Sequence, residues 1–223
     1  TLSGTYYESI TASANITLDS IARASTVSAS NVEMGSATTI AISRASSSFT
    51  HTLTYAFGSA TGTIATKTTS TSVSWTPPLT LAGQIPKAVT GTGTITCTTY
   101  NGNTSIGSKT CTLTLTVPAS VKPTITSLTA ARVDGAVPST WGIYVQTKSK
   151  ATLTINGAAG SYGSTISSYS ITGGGYTSTA SSFTTGFLNT SGTVTFTATV
   201  TDSRGRVSAA ATVSISVVAY SPP

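Results

Sequence analysis

The sequence predicts an all-β protein made of two similar β-sandwich modules in series. Short segments alternate apolar and polar side chains throughout the chain, and no helical period of 3.6 residues persists for three turns. Gly, Pro, Asn and Asp, the residues that favour turns, separate these segments. One pattern of strands is repeated at a spacing of about a hundred residues, which indicates two copies of one module.

Two pairs of motifs define the repeat. The motif TLT at 52–54 recurs at 152–154, an offset of 100, and TITC at 94–97 recurs as TVTF at 193–196, an offset of 99. The apolar positions of the last two strands are predicted to face inward in both modules: Ile95, Cys97, Leu113, Leu115 and Val117 in the first, and Val194, Phe196, Val213, Ile215 and Val217 in the second.

Each module is predicted to contain seven strands. In the first module, residues 24–118, the strands lie at 24–30, 37–43, 49–57, 60–67, 70–76, 91–100 and 108–117, with a turn at Asn101-Gly102-Asn103. In the second, residues 124–223, they lie at 124–131, 140–147, 150–156, 163–171, 176–187 (interrupted), 192–201 and 207–218, with a turn at 202–205. Seven short strands in about a hundred residues are typical of an immunoglobulin-like or fibronectin-like sandwich.

Two further segments complete the organisation. Pro118 and Pro123 bracket a short, stiff linker, 119–123, so we expect the modules to stand end to end. Residues 1–23 match neither module and are predicted to form an N-terminal β segment, either the end of a preceding domain or an added edge strand.

Composition excludes several functions. Only 7% of the residues are charged, against roughly a quarter in ordinary domains, while Ser and Thr supply about two residues in five. The net charge of +6 reflects few acids rather than a basic stripe, so no nucleic-acid binding is expected. No apolar run is long enough for a membrane span. Little charge with a mean hydropathy of +0.20 favours a homo-oligomeric or larger assembly.

No catalytic, cofactor or metal site is predicted. His51 is the one histidine and the five acids are scattered, so neither a nucleophile with a base and an orienting acid nor a set of zinc ligands can be assembled. A non-enzymatic protein without cofactors is therefore expected, and repetition of a module adds length and valency rather than a reaction centre.

The two cysteines have two interpretations. Cys97 and Cys111 are equally far from position 104, the middle of the last hairpin of the first module, so we expect them to face inward and to oppose each other. They are either two buried thiols that act as small apolar side chains or a disulfide across neighbouring strands.

Four cations and one tryptophan are the candidate contact residues. Lys148, Lys150, Arg204 and Arg206 are predicted to converge at the linker end of the second module, as an anion-attracting site or as a plain junction between modules. Trp75 is predicted to cover the rim of the first sandwich, with stacking on a glycan as the alternative.

Four stretches of sequence resemble a known family. They are LDSIARAS at 18–25, SRASSSFTHTLTY at 43–55, SWTPPL at 74–79 and GTITCTTYNG at 93–102. They are similar to minor structural proteins in the tails of siphophages and related prophages of Gram-positive bacteria. The resemblance implies a virion tail component near the distal, host-contacting end, with an N-terminal segment that completes an upstream domain. It transfers no catalytic or ligand residue.

The sequence therefore predicts a non-enzymatic structural and adhesive component of a phage tail, located in the virion or outside the cell. Its expected partners are other tail or virion proteins and a host cell-surface glycan. Two alternatives stay open: a stalk of a bacterial cell-surface adhesin, and a carbohydrate-binding accessory module of an extracellular hydrolase.

Overall fold

The structure, a computed structural model, describes residues 4, 22–133 and 135–222. Within these residues the first half of the chain contains β1 (Thr26–Ala29), β2 (Val32–Glu33), β3 (Thr38–Ser43), β4 (Phe49–Phe57), β5 (Ala60–Thr68), β6 (Ser72–Trp75), β7 (Thr90–Asn101) and β8 (Thr104–Thr116). The second half contains β9 (Ser127–Val133), β10 (Tyr144–Val145), β11 (Lys150–Asn156), β12 (Ile166–Gly173), β13 (Tyr176–Ser178), β14 (Ser182–Thr184), β15 (Gly192–Asp202) and β16 (Ala211–Val218).

The two halves have the same sheet topology. In the first, β1-β3-β6 form one sheet and β2-β8-β7-β4-β5 form the other. In the second, the orders are β9-β11-β14 and β10-β16-β15-β12-β13, so each strand corresponds to the one eight places later. The short strands β2 and β10 pair in parallel with β8 and β16, and all other pairs of named strands are antiparallel. The predicted class, two tandem immunoglobulin-like or fibronectin-like sandwiches, is confirmed.

Each pair of sheets encloses its own core. The first core includes Ile40, Leu53, Phe57, Ile95 and Leu115, and the second includes Leu153, Ile171, Phe196, Val200 and Val217. The predicted inward faces of the last two strands are confirmed, although Val213 is only partly buried. Val121, inside the predicted linker 119–123, is buried in the first core, which ties that segment to the first sandwich.

The alternation of buried residues with polar residues on the outer face explains why these segments form strands. In β7 the residues Gly93, Ile95, Cys97 and Thr99 are buried, while Thr92, Thr94, Thr96 and Thr98 alternate with them on the outer face. Threonine suits that face because its β-branch favours the pleat and its hydroxyl tolerates water. The predicted turn at 101–103 joins β7 to β8, and Gly102 takes the positive φ of 60° there.

The strand predicted at 140–147 is largely wrong. The structure has a 3₁₀ turn at Ser139–Trp141 and only the two-residue strand β10 in that interval. Val145 pairs with Val218 on β16, so the segment belongs to the connection between β9 and β11. The apolar residues of 140–147 suggested a full strand, but Pro138 and Gly142 confine extended structure to two residues.

One of the two motif pairs that define the sequence repeat lies on strands that are not equivalent. Residues 52–54 lie in β4, whereas 152–154 lie in β11, the counterpart of β3. The other motif pair is correct, because 94–97 and 193–196 lie in β7 and β15. Alternation of threonine with an apolar residue fits any half-buried strand, so the short TLT match carries no information about position.

The predicted N-terminal β segment, 1–23, lies outside the described residues apart from Gly4, Ala22 and Arg23. The sequence analysis also did not anticipate a 3₁₀ helix at Leu79–Gln84, between β6 and β7. Its Leu81 and Ala82 are buried in the first core. This helix faces the second sandwich and forms part of the contact described next.

Candidate functional site

The turn between β15 and β16 places an arginine at the contact between the sandwiches. Asp202 ends β15, and its Oδ1 accepts hydrogen bonds from the backbone N–H groups of Arg204 (3.0 Å) and Arg206 (2.9 Å). The carboxylate therefore shapes the turn as an Asx-type cap. Asp202 and Arg204 are almost fully buried, 1% and 7% exposed.

The Arg204 guanidinium bridges the two sandwiches through carbonyl groups. Its Nη2 donates to Ala82 O (2.7 Å) and its Nε to Ile85 O (3.2 Å) in the first sandwich. In the second, Nη1 donates to Ser161 O (2.7 Å) and Nη2 to Tyr162 O (2.8 Å). The guanidinium is planar and has five N–H donors, and four of them donate to these carbonyl groups. Burial lowers the pKa of Arg204, and the Asp202 carboxylate opposes that shift.

The acceptors on the first sandwich lie at the end of a short helix. Ala82 lies in the 3₁₀ helix Leu79–Gln84, and Ile85 follows its last residue. Each carbonyl also accepts one backbone hydrogen bond, Ala82 O from Ile85 N–H (3.1 Å) and Ile85 O from Ala88 N–H (3.2 Å), and its second lone pair accepts from Arg204. Arg204 thus donates to carbonyl groups of the first sandwich, and no described carboxylate of that sandwich binds its charge.

Three further hydrogen bonds surround this contact. Ser203 Oγ donates to Pro86 O (2.6 Å), and Arg206 Nη2 donates to Val117 O (3.1 Å). Ser161 Oγ donates to Lys122 O (2.6 Å), which fixes the connecting segment against the second sandwich. We call this set, Arg204, Ser203, Arg206 and Ser161 with their acceptors, the junction.

The four predicted cations do not converge. Arg204 and Arg206 lie at the junction, but Lys150 begins β11 opposite Val133, the last residue of β9, at the other end of the second sandwich. Lys148 lies in the same connection, where its backbone N–H donates to Val145 O. The prediction was wrong because it treated 140–147 as a full strand. Such a strand would cross the sandwich and place the turn that follows it, with Lys148 and Lys150, at the linker end.

Lys148 and Lys150 instead border a small cavity of about 220 Å³. Its lining consists of Val133, Gly135, Ala136, Lys148, Lys150 and Phe187. The Lys148 ammonium lies 4.6 Å from the ring centre of Tyr220, and the Lys150 ammonium lies 4.8 Å from that of Phe187. We call this end of the second sandwich, formed by residues 135–150, 185–191 and 218–220, the far tip.

Trp75 takes the core position that the sequence analysis favoured. It ends β6, is 8% exposed and packs at 5.1 Å against the ring of Tyr55. Stacking on a glycan would require this ring to leave the first core, so we do not propose that role.

His51 lies in β4 and is completely buried, with a side chain that is 0% exposed. Its Nε2 lies 2.8 Å from Ser25 Oγ, also buried, and its Nδ1 has no hydrogen-bond partner among the described residues. The pair thus has a nucleophile and a base in contact, but no acid orients the imidazole within the described residues and burial separates it from solvent.

The cysteines face inward but are not directly opposed. Cys97 pairs with Lys109 and Cys111 pairs with Ile95, because Asn101 pairs with Thr104 and the hairpin therefore turns at Gly102 and Asn103 rather than around position 104. Both thiols are free, Cys97 fully buried and Cys111 half-buried. Burial raises the pKa of both thiols.

Two negative findings concern the described residues only. No group of three or more His, Cys, Asp or Glu side chains is placed to hold a metal ion. No helix there is long and apolar enough to cross a membrane.

Sequence reasoning missed several residues of both sites. Ser203 and Ser161 gave no signal among so many serines, and the acceptors at the junction are backbone carbonyl groups, which every residue has. Phe187 and Tyr220 could not be placed at the far tip without the topology.

Comparisons with known proteins give one family and several distant structural likenesses. Residues 3–223 match the model of a family described as siphovirus protein of unknown function (DUF859). No curated protein matches the sequence. The chain is similar to the fibronectin(III)-like modules of CbhA from Clostridium thermocellum, with 15% identity, coverage of 91% of this chain and 94% of that chain, and a TM-score of 0.32. It is also similar to the FN1–FN3 domains of chicken CNTN1, with 8% identity, coverage of 88% and 68%, and a TM-score of 0.32.

Proposed function

Since the chain belongs to this siphovirus family, DUF859, we propose that it is a non-enzymatic structural component of the phage tail that acts as a stiff spacer. The resemblance to siphophage proteins that the sequence analysis noted is confirmed by the family match. The family and the tandem-sandwich fold support a structural protein of the phage. The tail location, the virion partners and a Gram-positive host are parts of the proposal.

The junction is the observation that carries the spacer role. Two sandwiches on a free tether would move independently, which is the usual expectation for domains with a small polar contact. Here Arg204 is 7% exposed and donates to carbonyl groups of both sandwiches, and three further hydrogen bonds flank it. A rotation of one sandwich would separate this buried charge from its two acceptors on the first sandwich, Ala82 O and Ile85 O, which is costly. The pair therefore behaves as one stiff body.

The burial and the contacts of the side chains that could take part in catalysis support a non-enzymatic protein. Ser25 and His51 are in contact but buried, and the imidazole lacks an orienting acid among the described residues. Repetition of one sandwich lengthens the protein without adding a new cleft.

Mass spectrometry and antibody labelling of purified particles test this proposal. The account expects the chain in intact virions, with gold label along the tail and not on the capsid. Its presence only in the lysate of infected cells, or hydrolase activity of the purified chain, would overturn it. A cell-wall location without particles would favour the adhesin stalk.

A second candidate function, contact with the host surface, is favoured by the far tip. Seven large hydrophobic side chains are exposed among the described residues, and all belong to the second sandwich: Trp141, Ile143, Tyr162, Phe187, Val207, Val218 and Tyr220. Five of them, all except Tyr162 and Val207, lie in or after the segments that form the far tip. Exposed apolar groups concentrated at one place mark interaction surfaces.

A further inference from the structure

The far tip combines two positive charges with exposed aromatic rings. Lys148 and Lys150 are half-buried on the border of the cavity, while Phe187 is 49% and Tyr220 41% exposed. A solvated charged surface does not need aromatic rings beside it, and an ordinary apolar contact does not need two ammonium groups. The combination is suited to a ligand that has both an apolar face and a negative charge.

Neither ammonium group has an anionic partner in the described part of the chain. The described carboxylates are Glu33, in the first sandwich, and Asp202, at the junction, so none lies at the far tip. Among the described residues the two amines lie over aromatic faces, at 4.6 and 4.8 Å from the ring centres. No described carboxylate therefore neutralises their positive charges. Asp134 belongs to the same connection in the sequence, outside the described residues, and enters the test below.

The backbone holds the two lysines and Phe187 in place. Thr147 N–H donates to Leu188 O (2.7 Å) and Leu188 N–H donates to Ser149 O (3.0 Å), so the segments that carry Lys148 and Phe187 are tied together. Tyr176 Oη donates to Phe187 O (2.7 Å). Arg132 donates to Val137 O and Pro138 O and so holds the connection that supplies Gly135 and Ala136. A site built this way is largely formed before a ligand arrives.

The backbone conformation of Thr147 is a further feature of the far tip. Thr147, directly before Lys148, has a φ of 60°. A β-branched residue in the left-handed region is a true outlier, and such strain is concentrated at ligand contacts and switches. The strained turn directs the Lys148 side chain towards the ring of Tyr220 rather than along the strand.

The size of the cavity limits the ligand. About 220 Å³ is below the roughly 300 Å³ at which sites for drug-sized molecules begin, so a single small ring or one anionic group fits. A pyranose has C–H faces that pack on aromatic rings, and an acidic substituent supplies the charge. A neutral sugar would leave the two ammonium groups without partners.

We propose that Lys148, Lys150 and Phe187 form a binding site for an acidic sugar, with its anionic group between the two ammonium groups and its ring against the exposed part of Phe187. This inference rests on the host-contact role proposed above and names its ligand class. The anionic group is a carboxylate or a phosphate ester, which are alike in charge and hydrogen bonding.

Titration of the full ¹⁵N-labelled chain, followed by NMR, tests the site at low salt. The probes are methyl glucuronide, glucose 6-phosphate, methyl glucoside and inorganic phosphate. We expect the amide signals of 148–150 and 187 to shift with one or both acidic sugars and to stay unmoved with methyl glucoside. Lys148→Gln and Lys150→Gln should each weaken binding about fivefold, the scale of an exposed charge pair. Phe187→Ser should also weaken it. Lys109→Gln, at the opposite end of the protein, is the matched control and should change nothing.

Each outcome of these titrations either supports or overturns the proposed binding site. Glucuronide or the sugar phosphate binding alone identifies the anionic group and supports the site. No shifts with either acidic sugar, equal shifts with methyl glucoside, or inorganic phosphate binding as tightly as the acidic sugars would overturn it. Asp134→Asn should tighten binding or leave it unchanged, and a loss would contradict a purely cationic site. Because these titrations use the isolated chain, their failure leaves the virion test of the spacer role unaffected.

Discussion

At the scale of single residues, Arg204 is the side chain on which the junction depends most. Its charge is buried, yet the partners are neutral carbonyl groups on both sandwiches rather than a carboxylate from the other side. A guanidinium suits this task because its rigid fork donates in several directions at once and is weakly hydrated. The four acceptors lie on two separate sandwiches, so the arginine is satisfied only in one relative arrangement.

Arg204→Ala is expected to uncouple the two sandwiches. The change removes two charged hydrogen bonds to the first sandwich, which corresponds to a loss of about 2–4 kcal/mol of coupling free energy. Denaturant unfolding should change from one coupled transition towards two separate ones. Arg204→Lys should fall between, because an ammonium cannot reach all four carbonyl groups. Lys109→Ala is the control, and equal losses in Lys109→Ala and Arg204→Ala would show that the junction is not special.

His51 is expected to make the first sandwich less stable at low pH. Burial lowers the pKa of His51, the nearby backbone of Thr68 opposes that shift, and the positive charge of Arg44 adds to it. The unfolded chain, with a histidine pKa of about 6.5, thus binds a proton more readily than the folded one. Stability is full above that value and decreases as the pH falls through it towards the folded pKa.

Thermal unfolding between pH 8 and pH 5 measures this effect. The measurement uses the Arg204→Ala chain, in which the two sandwiches are expected to unfold separately. There the transition of the first sandwich should move to lower temperature below about pH 6.5, and adding His51→Gln should remove that part of the dependence. The second sandwich has no histidine and serves as the internal reference. A first transition that is unchanged by pH in the Arg204→Ala chain would contradict the burial of an uncharged imidazole.

At the scale of elements, long alternating strands could be predicted and short connections could not. The prediction of β4 at 49–57 and of β11 at 150–156 is correct to the residue, because nine and seven alternating residues fix both type and length. The 3₁₀ helix at Leu79–Gln84 was missed and the two-residue strand β10 was predicted as a full strand at 140–147, since so few residues have no period. Both misses had consequences at the candidate sites: one hid the acceptors of Arg204, and the other placed Lys148 and Lys150 at the wrong end.

The cysteine pair shows the same limit. Parity along the strands correctly predicted that Cys97 and Cys111 face inward, but the hairpin turns at Gly102 and Asn103 and not around position 104. This register makes the two cysteines diagonal neighbours, roughly 7–8 Å apart on a sheet, whereas a disulfide needs Cβ atoms about 3.8 Å apart. The buried-thiol interpretation is therefore the one that the structure favours.

Thr147→Gly is expected to stabilise the second sandwich by up to about 1 kcal/mol. Glycine tolerates the φ of 60° that costs a β-branched residue energy, although its greater freedom in the unfolded chain offsets part of the gain. Denaturant unfolding measures the change. Thr147→Val keeps the β-branch and should not stabilise. A loss of stability in Thr147→Gly would mean that the threonine conformation is not strained.

At the scale of the whole molecule, the proposed spacer contains few described charges. Glu33 and Asp202 are the described carboxylates, and no described pair of side chains forms a salt bridge, so salt has few interactions to screen. Hydroxyl groups cover the sheet faces instead, as in the contacts of Thr98 with Ser108 and of Thr195 with Ser214. Such a body would keep its shape over a wide range of ionic strength, which suits a particle exposed to changing surroundings.

The most direct test of the account is whether the two sandwiches tumble as one body. Residual dipolar couplings of backbone amides, measured for the full chain in a weakly aligning medium, report the orientation of each sandwich separately. The account predicts that one alignment tensor fits the couplings of 26–116 and 127–218 together, and that Arg204→Ala splits it into two. Two tensors of different magnitude in the native chain would contradict the stiff junction and with it the spacer function.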